Sequence, residues 1–524
     1  MLRRLALVAV LAGLVAAPQA ALARKANPRL HAFGNCTSML RYVHHHGARL
    51  DPTRYGGIGG GGAGGGIPVQ APSGSGGVAP ETAPAPPSPV SDTTSPTNVQ
   101  EAGVDEPDIV KAAGTTVYAI NGLTLRAIDA STSPPRVVGS LGLGRYGGEL
   151  LVHGDRALVL SADSNGPIVA ARARAAQVAV GAPILQWSSK TVMTEVDISD
   201  PSAMKIVRTM TVDGNYLSAR LNGATARVVI GSSPRGLAVA AAPPGVSQQA
   251  ITRTYRRSVQ RSRVANWLPR GTLRDRRTGK RSTRSLLGCR QVKRAQVFSG
   301  LDTITVLTID MDKGLPAVDA DALMTDGDTV YASQDKLYVA SERWLGYAPS
   351  RTEIAGLAAT GLHAFDISTP DQTTYAGSGE VPGFILNQWS LSERGGILRV
   401  ATTDRPATAT GQQESALRTL ELEHGRLVQL GIVGGLGQGE RIYGVRYIDD
   451  TAFVVTFRQI DPLFTVDLSD PRAPRLVGQL QLPGYSSYLH PVGDGLLLGL
   501  GQDADASGHP LGLKLTLFDV SDLA

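Results

Sequence analysis

The stretch "VDLSDPRAPRLVGQLQLPG", residues 466–484, is one phrase that the chain writes several times. "VDISDPSAMKIVRTMTVDG" stands at 196–214, "FDISTPDQTTYAGSGEVPG" at 365–383 and "FDVSDLA" at 518–524. An apolar run ends in Asp, an apolar residue and Ser; a turn follows, and in the fuller copies a further run heads toward a glycine. In the unit at 441–484 the runs are "RIYGVRYI", "TAFVVTF", "PLFTVDLS" and "RLVGQLQL". They are rich in Val, Leu, Ile, Thr and Tyr and too short for helices, so they predict strands. The Asp carboxylate after the third run can bond nearby backbone amides, and Pro presets its own φ, so the phrase predicts a hairpin between the third and fourth strands.

The anchor of the phrase falls at Asp129, Asp197, Asp310, Asp366, Glu421, Asp467 and Asp519. The last four lie about fifty residues apart, near the period of a four-stranded propeller blade. Longer gaps earlier in the chain leave room for insertions. The expected fold is all-β, a β-propeller of about seven four-stranded blades over 97–524, with a two-sheet sandwich as the alternative. The final unit offers "YSSYLHPV", "GLLLGLG" and "LKLTLFDVS" and no fourth run. "TNVQEAG" at 97–103 is expected to supply that strand and tie both ends of the domain into one blade. The alternative is a last blade left open.

Arg3 and Arg4 precede the apolar run "LALVAVLAGLVAA" and the small-residue site Ala21-Leu22-Ala23. This predicts a signal peptide over 1–23, too short to span a bilayer. The mature protein is expected to be soluble, exported to the extracellular space or cell envelope, with no transmembrane anchor. Residues 24–54 carry an expected helix, capped by Asn35 or Thr37, with Met39, Leu40 and Val43 on one face. His44, His45 and His46 project about 100° apart on such a helix, so they are expected as a solvated helix end and not a metal centre. From 55 to 96 the Gly- and Pro-rich composition buries nothing and predicts a disordered linker. Cys36 and Cys289 are an even count in an exported chain and predict a disulfide, with two unrelated thiols as the alternative. A bridge closing so long a loop contributes roughly 5 kcal/mol in a chain-entropy treatment.

"TNVQEAGVDEPDIVKAAG", "WLPRGTLRD", "VPGFILNQWSLSE", "AFVVTFRQIDPLFTVDLSDPRAP" and "GYSSYLHPVGDGLLLGLGQDADASGHPLGLKLTLFDVSD" together resemble a family of secreted prokaryotic proteins. Its members carry a C-terminal β-propeller distantly related to WD40 repeats. The resemblance covers roughly 97–524 and touches "FGNCTSMLRYV" near the N-terminus. It implies a fold and an address and no particular reaction. Members commonly continue past the "FDVSD" phrase into further strands. No Trp-Asp dipeptide occurs in this chain, so an ordinary WD40 array is not expected.

Templates for catalysis are absent: no His-Glu-x-x-His, no Gly-x-Ser-x-Gly, no P-loop. Ser333 and Lys336 fit Ser-x-x-Lys but fall in a predicted tight turn. No catalytic, cofactor or metal residue is therefore assigned. Asp503, Asp505 and Ser507 have the alternation of a calcium loop, yet its twelfth position is Lys514 and not Glu, leaving a partial calcium site as the alternative to a hairpin turn. Asp105, Glu106 and Asp108 adjoin the first inner strand, where carboxylates would face the channel or cap the strand.

Residues 253–294 hold fifteen Lys or Arg against one acid, Asp275, a net +14 on a chain of +6. This insertion, about 232–300, is expected to be partly helical. Tyr255, Val259, Val264 and Trp267 would lie on the propeller, and Arg256, Arg257, Arg261 and Arg263 in water as a candidate anion-binding surface. No aromatic platform marks a dedicated nucleic-acid site. The expected protein is a monomeric, non-catalytic binding module whose partner is a protein or an anionic envelope polymer. The alternative is a hydrolase or oxidoreductase with a metal held at the propeller channel.

Overall fold

The computed structural model describes residues 30–50, 99–163, 190–237, 247–295, 298–327, 329–344, 358–404, 414–457, 460–493, 495–505 and 509–521. The expected signal peptide and linker lie outside the described residues. Seven antiparallel units follow one another at 110–142, 149–213, 215–324, 329–382, 391–436, 441–483 and 485–519, here called sheets 1 to 7. The first six are each built on four antiparallel strands, to which sheets 2 and 3 add two more apiece, and sheet 7 has three. The fold is a β-propeller.

The Asp of each Asp-Pro pair in the repeated phrase bonds the backbone as expected, Asp200 accepting from Ser202 N and Asp470 from Arg472 N at 2.9 Å, and the anchor carboxylates form a second such bond. Asp129, Asp197, Asp366, Asp467 and Asp519 end their sheets' third strands, and the carboxylate of each accepts from the backbone N–H of the Ser two residues on, at 2.9–3.0 Å. In the third sheet Asp310 accepts instead from the N–H groups of Asp312 and Lys313. Glu421 is the exception; it stays inside its strand, paired with Val428. Hydrogen bonds from Ser469, and then Arg475, hold the Asp467 carboxyl down at about 2.

The closing glycine is also required. Gly214, Gly383 and Gly484 sit at φ +121°, +82° and +79°, where the chain leaves one sheet for the next. A Cβ there would meet Gly231 O at 2.6 Å, Thr403 O at 2.5 Å and Gln502 O at 2.1 Å, all on the second strand of the following sheet. Only glycine combines that backbone with that approach.

Between sheets the packing is apolar and sequential. Separate buried clusters join sheet 1 to 2, 2 to 3, 3 to 4, 4 to 5, 5 to 6 and 6 to 7. Each fully buried Leu or Val contributes about 1.5–3 kcal/mol. Arg227 adds a polar clamp from sheet 3 to sheet 4: its buried guanidinium donates to Ile367 O, Thr369 O and Gln372 O at 3.0–3.1 Å. Among the described residues no such cluster joins sheet 7 to sheet 1. The face of sheet 7 turned away from sheet 6 exposes Leu500, Leu511, Leu513, Leu515 and Leu517, with Leu513 84% exposed, and sheet 1 exposes Val110 and Val137.

Among the described residues the expected closing strand is not seen, and Thr97 and Asn98 of it lie outside them. Residues 99–103 are turn and coil, and among the described residues the last strand, Pro510–Asp519, pairs with Leu496–Ala504 alone. "EAGVDEPD" carries four acids, of which Asp105 meets Lys111 and Glu106 meets Arg220 as the segment follows the inner edge of the sheets.

The insertion and the N-terminal helix form one lateral unit. Helix α1 (Cys36–Gly47) is capped by Asn35, whose side chain accepts from Ser38 N at 2.8 Å. It packs on helix α2 (Gln248–Arg261), with Met39, Val43, Tyr255, Val259 and Trp267 in one core and Val264 packed against it. The insertion is more strand-rich than expected. Arg270–Asp275 and Arg281–Ser285 extend sheet 2, while Val292–Ala295 and Leu30–Ala32 extend sheet 3. A disulfide joins Cys36 to Cys289 across the unit. Among the described residues no helix is long and apolar enough to cross a membrane.

Two measurements check this architecture. Thiol titration of denatured, unreduced protein should find no free thiol. Asp467→Ala should lower stability by about 1 kcal/mol at neutral pH, the scale of a net hydrogen bond. Because the folded-state carboxyl titrates near 2 and an unfolded one near 3.9, the carboxylate's contribution is complete above the unfolded value and declines as pH falls toward 2. The gap between parent and variant urea midpoints should therefore narrow from pH 7 to pH 3.

Candidate functional site

Residues 99–109 pass five consecutive sheets in reverse order. Gln100 donates to Gln388 O and Leu391 O of sheet 5 at 2.9 and 2.7 Å. Glu101 accepts from Tyr331 of sheet 4 at 2.7 Å and from Ser392 of sheet 5 at 3.0 Å. Val104 is buried between sheets 3 and 4. Asp105 pairs through its backbone with Leu221 of sheet 3, Asp108 with Leu150 of sheet 2, and Ile109 O accepts from Ile120 N of sheet 1.

The three acids singled out from the sequence meet different fates. Asp105 bonds Lys111 at 2.6 Å, and Glu106 lies 3.3 Å from the Arg220 guanidinium and 3.3 Å from Gln388. The Asp108 carboxylate accepts from Ile109 N at 2.6 Å. Burial raises the Glu106 and Glu101 carboxyls above the usual range, opposed by Arg220 at the first and by the Tyr331 and Ser392 hydrogen bonds at the second.

At this channel mouth, between sheets 5 and 6, lies a cavity of about 140 Å³. Its wall includes Gln100, Glu101, Trp389, Arg399, Arg446 and Tyr447. Arg446 projects from the inner strand of sheet 6 over the Trp389 ring at 4.8 Å, and Arg399 lies over Tyr447 at 5.0 Å. Arg399 donates to Asp449 O at 2.5 Å and Ser392 Oγ at 2.6 Å. Three guanidinium donors stay buried without a hydrogen-bond partner: Arg446 Nε and Nη1, and Arg399 Nε. Desolvation lowers the pKa of both arginines. Gln100 Oε1 is a buried acceptor with no partner. Sequence reading missed this site because its residues come from three separate segments. The signal present was a single arginine within an apolar inner strand, as in "YGVRYI".

The basic flank is the second feature. Arg256, Arg257, Arg261 and Arg263 are exposed as expected, and among the described residues no acidic side chain pairs with them. Arg253, Arg270, Arg274, Arg276, Arg277, Lys280, Arg281, Arg284 and Arg290 are exposed around them, with Asp275 accepting from the backbone N–H of Arg277 and Thr278. The histidine triplet diverges: His44 bonds Ser262, His45 bonds Arg49, and His46 stacks on Phe298, where burial pushes it down to about 4.

Asp503 lies 3.4 Å from Lys514, and Asp505 accepts from His509 N at 3.0 Å; Ser507 lies outside the described residues. Ser333 sits in the predicted turn and donates to Glu393 at 2.9 Å. Among the described residues no group of three or more His, Cys, Asp or Glu side chains is placed to hold a metal ion.

Residues 94–524 match the family model described as a beta propeller domain. This chain belongs to that family. It is similar to an uncharacterized protein of Methanocaldococcus jannaschii, 38% identical over 171 residues, 33% of this chain and 25% of the relative. An uncharacterized protein of Archaeoglobus fulgidus is 45% identical over 147 residues, 28% of this chain and 21% of the relative. The matched segments thus span about a quarter and a fifth of those relatives' lengths. The crystal structure of Saccharomyces cerevisiae Sqt1 aligns over 78% of this chain and 93% of its own, at 9% identity and a TM-score of 0.25.

The Arg220–Glu106 contact gives a direct test of the channel arrangement. Arg220→Met should destabilise the protein by about 3 kcal/mol, because a buried carboxylate loses its countercharge. A change in urea midpoint under a third of that would show the contact to be incidental.

Proposed function

We propose that this propeller is an exported, monomeric binding module of the extracellular space or cell envelope that holds an anionic polymer on its lateral basic flank. The observation that carries the reading is the flank itself. Tyr255, Val259 and Trp267 hold helix α2 against the propeller, while Arg256, Arg257, Arg261 and Arg263 face solvent without acidic partners among the described residues. Apolar residues fix the surface and leave its cations to act on something outside the molecule. A net +14 over 253–294, against about −8 for the remaining chain, gives a polarity that attracts polyanions at long range. Signal-peptide features at 1–23 and the disulfide support an oxidising location.

Exposed charges are screened beyond about 8 Å at physiological ionic strength, so binding to an acidic polymer such as heparin should be tight in dilute buffer and weaken steeply with salt. Replacing Arg256, Arg257, Arg261 and Arg263 together with Gln should abolish most retention on a heparin column. The melting temperature and far-UV spectrum should stay unchanged, since the four guanidinium groups are exposed. Retention equal to the parent's would sink the proposal.

A further inference from the structure

We propose that the cavity at the channel mouth is a second binding site, specific for a small organic carboxylate that also carries a hydroxyl or amide donor. Arg446 and Arg399 are 8% and 6% exposed, so each is more than nine-tenths buried. Burying an ionised group without hydrogen bonds is costly, and native proteins satisfy nearly all such atoms. Here three N–H groups on two guanidiniums are left over at one cavity wall.

The acids in the same wall do not take them up. Glu101 is engaged by Tyr331 and Ser392, and Glu393 by Ser333 at 2.9 Å and Tyr338 at 2.8 Å. Asp449 is bonded by Arg394 at 2.9 Å. The remaining donors define an oxyanion as the missing partner, and guanidinium N–H groups bond carboxylate oxygens strongly.

Gln100 adds the second recognition element. Its amide nitrogen is committed to two backbone carbonyls, which fixes Oε1 as the acceptor at the cavity. A ligand must therefore accept at one end and donate at the other. A volume of about 140 Å³ is close to that of cavities which hold a benzene-sized guest, so the occupant has few heavy atoms. Trp389 and Tyr447 back the two arginines and keep water off their far faces. This site shares no residue with the basic flank.

Lactate serves as the matching probe, with acetate, chloride and inorganic phosphate as comparisons, each titrated against the full chain by calorimetry and by melting temperature. Lactate should bind saturably at a stoichiometry of one and raise the melting temperature more than acetate does. Chloride and phosphate should do neither. Arg446→Met should weaken lactate binding about tenfold to a hundredfold, the range for losing a charged hydrogen bond. It should also leave the ligand-free melting temperature unchanged or higher, because it removes an unpaired buried charge; a purely structural arginine would lower it. If that variant fails to fold, Arg446→Lys decides, since it keeps the charge and loses the Nε donor; its binding should fall by at least tenfold. The quadruple flank variant should bind lactate as the parent does. Lactate binding that is absent in the parent, matched by phosphate or chloride, or unaltered in both Arg446 variants overturns the proposal.

Discussion

A carboxylate at the end of the third strand is the constraint on which the propeller rests. It gathers the next backbone N–H groups into a tight turn, so that the fourth strand returns beside the third and a sheet can form. The glycine at the far end of the fourth strand then lets the chain turn under the second strand of the next sheet. Between these two points, the phrase fixes both the width of a sheet and the spot where the next begins. What lies between sheets is apolar packing that needs the right size more than a particular residue.

These features could be read from the sequence because they are local. Asp, Ser and Gly act within a few residues of themselves, so the pattern at 466–484 carries its own geometry. The exception, Glu421, has one more methylene and no Ser two residues on, and its strand simply runs further. Helix α1 was legible for the same reason, through Asn35 and the apolar spacing of Met39 and Val43. The path of 99–109 was not. "TNVQEAG" is expected as a strand, but Glu101 finds Tyr331 and Glu106 finds Arg220 only after the sheets have been placed around them. Arg399 and Arg446 likewise acquire a common cavity through the packing of sheet 5 on sheet 6, a contact that no spacing along the chain encodes.

The two cationic features differ in physical kind. On the flank, many exposed guanidiniums act together through a field that salt can erase, with little demand on the shape of what they hold. At the channel mouth, two desolvated groups act through directed hydrogen bonds, in a space too small for a polymer. The disulfide and the shared core of helices α1 and α2 keep the first surface rigid, while the threaded segment supplies Gln100 and Glu101 to the second.

Among the described residues, six apolar clusters join sheets 1 to 7 one to the next. A sheet held by apolar packing on both sides opens at a higher free energy than one held on one side. The threaded segment adds a second tie for sheets 1 to 5, whose inner edges it binds. The cavity between sheets 5 and 6 lies beside Gln100 and Glu101, where that lacing meets sheet 5.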